Sequence, residues 1–150
     1  MKEYKEFQFA WIISSLMLLV LLFVIALYIT GAGDRPISGV GLLIFIGSSA
    51  LVFALFYGMT TTINAEKIAV SFGIGLIQKR IAIDKIKTVA IVKNPWYYGW
   101  GIRYIPNGKL YNMSGLKGVE LTFYTTDRIV RIGTQDPAQL KTEIEKFRKQ

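Results

Sequence analysis

"VSFGIGLIQKRIAIDKIKTVAIV", residues 70–92, decides the fold of the charged half of this chain. Ile68, Val70 and Phe72 alternate with Ala69 and Ser71. Ile81 and Ile83 resume the same period, and Val89 and Ile91 carry it on. Successive side chains of a strand point to opposite faces, so a period of two marks strands with one face buried. Gly73 and Gly75 flank a turn after the first strand, and Asp84 with Lys85 punctuates the second from the third.

The pattern continues toward the C-terminus. Ile102 and Tyr104 make a short strand that Pro106, Asn107 and Gly108 turn. Residues 110–113 read as a weak strand, Val119, Leu121 and Phe123 as a clear one, and residues 129–132 as another after a Thr-Thr-Asp turn. Upstream, residues 60–63 make a β-branched start. Some seven or eight short strands at this spacing predict a sandwich or barrel. The last segment changes period. Asp136 suits a helix cap, Pro137 the first helical position, and Gln139 a capping-box spacing. Leu140, Ile144 and Phe147 then share one face, which predicts a closing helix over residues 137–149 with its apolar stripe in the core.

Upstream of residue 60 the chemistry is different. Hydrophobic residues make up 52% of the chain, yet its net charge is +8. Residues 7–33 and 36–65 carry no charge, and Asp34 and Arg35 alone separate them. Lys2, Lys5 and Arg35 balance Glu3, Glu6 and Asp34, so the whole +8 belongs to residues 61–150. Each apolar run reaches the ~20 residues that cross a bilayer as helix. We expect spans over about 9–30 and 36–60, joined by the turn-rich GAGDRP at 31–36 into a hairpin. A cleavable signal is the poorer reading, because the apolar core is long and Glu3 and Glu6 head it. Lys67, Lys79 and Arg80 after the second span, with Lys2 and Lys5 before the first, outnumber Arg35 in the link. That bias predicts an integral protein of the cell membrane with both termini and the β domain cytoplasmic. The expected division is a hairpin over 1–60 and a β domain over 61–150. Neither span holds a charge, which argues against an ion or proton pathway. Gly47, Ala50, Ala54 and Gly58 fall on one helical face and suit close packing against the first helix or another subunit.

The chain has no Cys and no His. Disulfides, thiolate or imidazole metal sites and Ser–His or Cys–His nucleophile systems are therefore excluded within it. The seven carboxylates after residue 60 are Glu66, Asp84, Glu120, Asp127, Asp136, Glu143 and Glu145. None is placed by the pattern as a convincing acid–base pair. Neither a P-loop nor a dinucleotide fingerprint occurs. We expect no enzyme, no cofactor, no metal and no nucleic-acid partner.

Several strands followed by one amphipathic helix is also the layout of a known family. "VSFGIGLIQKRIAIDKIKTVAIV", "YYGWGIRY", "LYNMSGLKGVEL" and "RIGTQDPAQL" resemble, in this order, recurrent blocks of small bacterial membrane proteins with a pleckstrin-homology (PH)-like domain. The resemblance covers about residues 60–148, and the preceding hairpin suits the same type. It implies a PH-like barrel used as a scaffold. Eukaryotic PH domains bind inositides with basic residues around the first strand–strand turn. Here that turn, residues 72–76, is apolar, and Lys79 and Arg80 follow on the next strand.

Two sets of side chains remain as candidates. Lys79, Arg80, Lys85 and Lys87 suit an anionic lipid surface, where each cation contributes ~1 kcal/mol. In "NPWYYGWGIRY", residues 94–104, Trp96, Tyr97, Tyr98, Gly99, Trp100, Gly101 and Arg103 form an interaction loop or a structural corner. Trp96 and Tyr97 suit a membrane interface. Trp100 suits a plug with Arg103 stacked on a ring or bonded to a carbonyl. The expected function is a non-enzymatic, membrane-anchored PH-like module for assembly, with itself or with a membrane-protein partner. The alternative is a module that binds the anionic lipid surface.

Overall fold

The computed structural model describes residues 3–148. The expected end of the last helix at residue 149 lies outside them. Two helices, α1 (Trp11–Thr30) and α2 (Gly39–Phe56), are long and apolar enough to cross a membrane, and none of their residues is buried within the protein. Leu, Ile, Val and Phe all around a helix leave no polar face, so its natural solvent is hydrocarbon. Gly31 ends α1 in the left-handed conformation at φ 61°. Ser38 caps α2, its Oγ accepting from Gly41 N at 3.1 Å.

The helices stop short of the spans read from the sequence because strands begin on both sides of them. β1 (Tyr4–Phe9) pairs antiparallel with β2 (Gly58–Ile63), with Phe9 opposite Gly58 and Tyr4 opposite Ile63. The helical hairpin is therefore an insertion between two neighbouring strands, and Ala10 N donating to Tyr57 O at 2.9 Å closes its base. The division expected at residue 60 is corrected accordingly: residues 4–9 and 58–63 belong to one sheet. Gly58, expected on the face of the second helix, lies in β2. A Cβ there would stand 2.5 Å from the Phe7 ring and 2.8 Å from Gln8 O.

β3 (Lys67–Phe72) and β4 (Ile77–Ala82) complete a sheet of order β1-β2-β3-β4. A second sheet holds β5 (Ile86–Lys93), β6 (Gly101–Ile105), β7 (Gly108–Asn112), β8 (Lys117–Phe123) and β9 (Ile129–Gly133) in the order β5-β8-β9-β7-β6. Neighbours are antiparallel except β7 and β9. The result is two sheets and not the closed barrel that the resemblance implies. α3 (Pro137–Arg148) covers β5 and β8, burying Leu140, Ile144 and Phe147 as its spacing predicts. Asp136 Oδ1 accepts from Gln139 N at 2.9 Å, the expected cap.

Between the sheets lie Met59, Ile63, Ile68, Val70, Phe72, Ile86, Val119, Leu121 and Ile132, all almost wholly buried. Each such side chain contributes roughly 1.5–3 kcal/mol by leaving water. β1 ties this core to the second sheet through polar groups. Gln8, fully buried, donates from Nε2 to Gly133 O at 2.6 Å. The Glu6 carboxylate accepts from Thr134 Oγ1 at 2.8 Å and from Gln135 N at 3.0 Å. The Tyr4 hydroxyl donates to the same carboxylate at 3.2 Å. Burial, and secondarily the Glu6 charge, raises the Tyr4 phenol above its ordinary value.

Candidate functional site

Consecutive strands run in alternating directions, so their connections fall in turn at two opposite ends of the β domain. One end carries the helices. There Gly73 N donates to Gly58 O at 2.8 Å, and Ile74 N reaches Ala54 O within the last turn of α2 at 3.0 Å. Gly73 has φ +50°, and a Cβ on it would collide with the backbone of Ala54 and Leu55, so glycine permits this approach. Trp11, the first residue of α1, stands beside Lys93, Leu116 and Lys117 at the same end. The strand–strand connections here are residues 73–76, 94–100 and 113–116, and none contains a charge. Ile74 and Leu76 are exposed, as are Trp96 and Tyr97.

The opposite end is reached by the connections at 64–66, 83–85, 106–107 and 124–128, which hold Glu66, Asp84, Lys85, Asp127 and Arg128. Between β4 and the second sheet it opens into a cleft of about 1010 Å³. Its cations are Lys79 and Arg80 from β4, Lys85 from the 3-10 turn Ile83–Lys85, Lys109 from β7 and Arg128 from the β8–β9 connection. Among the described residues its only carboxylate is Asp127. Ile81, Ile105 and Ile129 supply an apolar floor, with Tyr104 and Tyr111 at one wall. Lys109 Nζ lies 4.8 Å from the centre of the Tyr104 ring, a cation–π contact that fixes the ammonium. Burial pushes the Tyr111 phenol above its ordinary value, with Lys109 working the other way, so the hydroxyl stays neutral and can donate.

Of the four candidate cations, Lys79, Arg80 and Lys85 come together in this cleft. Lys87 is exposed on β5 and is not among its lining residues. The sequence reading missed Lys109 and Arg128. The one signal for them was strand alternation, which sends the connections before Lys109 and around Arg128 to the same end as Lys85.

The aromatic loop takes the other end. Residues Trp96–Tyr98 form a 3-10 turn, with Tyr98 half-buried, and Gly99 (φ +70°) and Gly101 (φ +92°) bend the chain into β6. Trp100 is half-buried and stands outside the main cluster of core side chains. Arg103 Nε donates to Trp100 O at 2.9 Å, so the arginine braces the corner through a carbonyl. On α2, Gly47 and Ala50 are exposed and nothing lies within 4 Å of a Cβ added at Gly47, whereas Ala54 is half-buried beside the 73–74 turn. The face they share is not the contact with α1.

Four of the seven carboxylates after residue 60 have structural partners, Asp136 as the cap and three in ion pairs. Glu120 pairs with Arg131 at 2.8 Å across β8 and β9, Glu145 with Lys141 and Glu143 with Lys146, both at 3.7 Å along α3. Set against protein-family models, curated proteins and solved structures, the chain matches none of them.

Proposed function

We propose that this chain is a membrane-anchored, non-enzymatic module of PH-like type that docks a partner on the side of its β domain turned away from the bilayer. In this reading α1 and α2 cross the cell membrane, and both termini and the β domain lie in the cytoplasm. The observation that carries it is the contrast between the two sets of connections, uncharged at the helix-bearing end and charged at the other. Water-exposed Ile74, Leu76, Trp96 and Tyr97 would be costly at a free protein surface. Beside the ends of two apolar helices they meet lipid, and Trp and Tyr favour that boundary. The anchor and the domain also share hydrogen bonds on both sides of the junction, at Ala10–Tyr57 and Ile74–Ala54. The domain is thus held at the bilayer rather than tethered to it by a linker. Its cleft points into the water on the same side.

The same geometry weakens the lipid-surface alternative for two of its four cations. Strands rise ~3.3 Å per residue. Lys85 and Lys87 are therefore about 20 Å or more from the end that adjoins the helices, beyond the ~8 Å Debye length of physiological salt, whereas Lys79 and Arg80, two and three residues after Ile77, are about 7–10 Å from it. Because the chain lacks Cys, single cysteines report position cleanly. With cysteine at Thr126, crosslinking in native membranes is expected to give a discrete adduct above the monomer mass, and with cysteine in the 31–36 link it is not. A monomer alone from every far-end position, and a monomer in mild detergent, would overturn the proposal.

A further inference from the structure

Among the described residues β4 is an edge strand, with β3 on one side and no strand on the other. Gln78, Lys79 and Arg80 are exposed in succession, so both faces of β4 are uncovered along that stretch. The outer row of backbone N–H and C=O groups of an edge strand is a template for one more strand. Beside this edge lies the cleft, with five cations against one carboxylate. β6, at the edge of the second sheet, contributes Tyr104 and Ile105 to the same cleft.

Two occupants fit this arrangement poorly. A second copy of this chain paired through β4 would set Lys79 and Arg80 against their own equivalents, and like charges across strands are destabilising. A compact phosphate would need cations gathered and desolvated around it. Here Lys79, Arg80, Lys85 and Arg128 are exposed and come from three separate elements. Cations spread along an open edge suit charges spaced along an extended chain. In a strand every second side chain points the same way, about 7 Å apart.

We infer that the cleft docks an extended acidic segment of a partner protein, which adds as a strand to the free edge of β4 and turns its carboxylates toward Lys79, Lys85, Lys109 and Arg128. Its alternate side chains turn to the other face of the sheet, beside Arg80. Backbone pairing supplies the register and the cations supply selection, the division of labour in strand addition. This rests on the docking function proposed above and names the chemistry of the partner.

The experiment uses the full chain in nanodiscs of zwitterionic lipid, with a fluorescent peptide of about eight residues alternating Glu and Val. Binding is read by anisotropy, and β4 by hydrogen exchange. The Glu–Val peptide is expected to bind, a Lys–Val peptide is not, and the amides of residues 78–80 gain protection. Lys79→Glu with Arg80→Glu is expected to weaken binding by about tenfold or more. Arg128→Glu, on a connection away from the sheet, weakens it as well, which separates loss of the site from loss of the fold. Binding without protection of β4 would overturn strand addition. Displacement by inorganic phosphate, where chloride of equal ionic strength has no effect, would give the cleft to a small anion. Equal competition by phosphatidylserine vesicles would give it to lipid. Should the peptide fail to bind while far-end crosslinks persist, this inference falls and the docking function stands.

Discussion

The two ends of the β domain are built from the same kind of connection, a few residues joining reversed strands, and share almost no chemistry. At one end GIGL, NPWYYGW and MSGL, at 73–76, 94–100 and 113–116, hold no charge. At the other, the residues 83–85 and 124–128 read IDK and YTTDR. Strand geometry does not require this difference, since a turn of either composition reverses a chain. Different solvents at the two ends, as the proposed function has them, would. The first set adjoins two helices that expose apolar side chains all round, and the second rims a basic cleft. Under that proposal the comparison separates residues that hold the domain in place from residues that meet a partner.

The largest effect that should follow concerns the junction. Gly58→Val is expected to lower stability by about 3 kcal/mol, because the new side chain has to displace the Phe7 ring or part β1 from β2. Lys79→Glu with Arg80→Glu, midway along β4 in the cleft, should stay within about 0.5 kcal/mol, since both side chains are exposed. Gly47→Val, with no atom within 4 Å of the added Cβ, belongs with the second group. Thermal unfolding in detergent orders the variants. If charge reversal in the cleft costs as much as Gly58→Val, the separation between holding and meeting is lost. A destabilising Gly47→Val in native membranes would instead reveal a second subunit against α2.

A smaller effect tests depth. Ile74→Asp with Leu76→Asp removes apolar surface at the level of the last turn of α2, where Ile74 N meets Ala54 O. A carboxylate near the bilayer boundary costs about 1 kcal/mol or less, well below the cost at the midplane. The fold should therefore survive while the turn swings away from lipid. A nitroxide placed at residue 75 is expected to lose contact with lipid-soluble oxygen in this variant and to gain it with a water-soluble relaxant. Unchanged accessibility would mean that the uncharged connections do not meet lipid, and the comparison would need another cause.

Much of this architecture was legible where side chains alternate in the usual sense. β3 and the stripe of α3 bury the residues their periods assign, and β8 buries Val119 and Leu121 with Phe123 half-buried. β1 was not legible, because its inward positions are polar. Glu6 and Gln8 face the second sheet while Phe7 is half-exposed beside Tyr57, so the pattern is that of a charged tail. Its partner strand follows only after both helices, and a hairpin with such an insertion leaves no local turn signal. Gly58 was misassigned for a related reason: a glycine continuing a small-residue spacing is indistinguishable from one admitting a neighbouring ring until the partner strand is known. The cleft was half legible. Lys79, Arg80 and Lys85 are close in sequence, whereas Lys109 and Arg128 join them only through the strand order β9-β7-β6, including a parallel pair that no adjacent turn encodes.

The smallest effect probes the polar stitching of β1 and follows pH. The Tyr4 phenol is half-buried and its hydroxyl donates to Glu6, so the folded state keeps that proton above the ordinary value of 10.0. A group that binds its proton more tightly when folded stabilises fully below the unfolded value, and the contribution fades as pH rises through the folded value. Wild-type stability should therefore decline above pH 10 more steeply than that of Tyr4→Phe, which has no proton to lose there. Below pH 10 the variant is expected to be less stable by about 1 kcal/mol, the usual net worth of one hydrogen bond. The two unfolding curves should converge as pH climbs. The two proteins differ only at this hydroxyl, so the difference between their curves isolates Tyr4. Parallel curves would mean that the phenol is solvated, and that Glu6 is held by Thr134 and Gln135 alone.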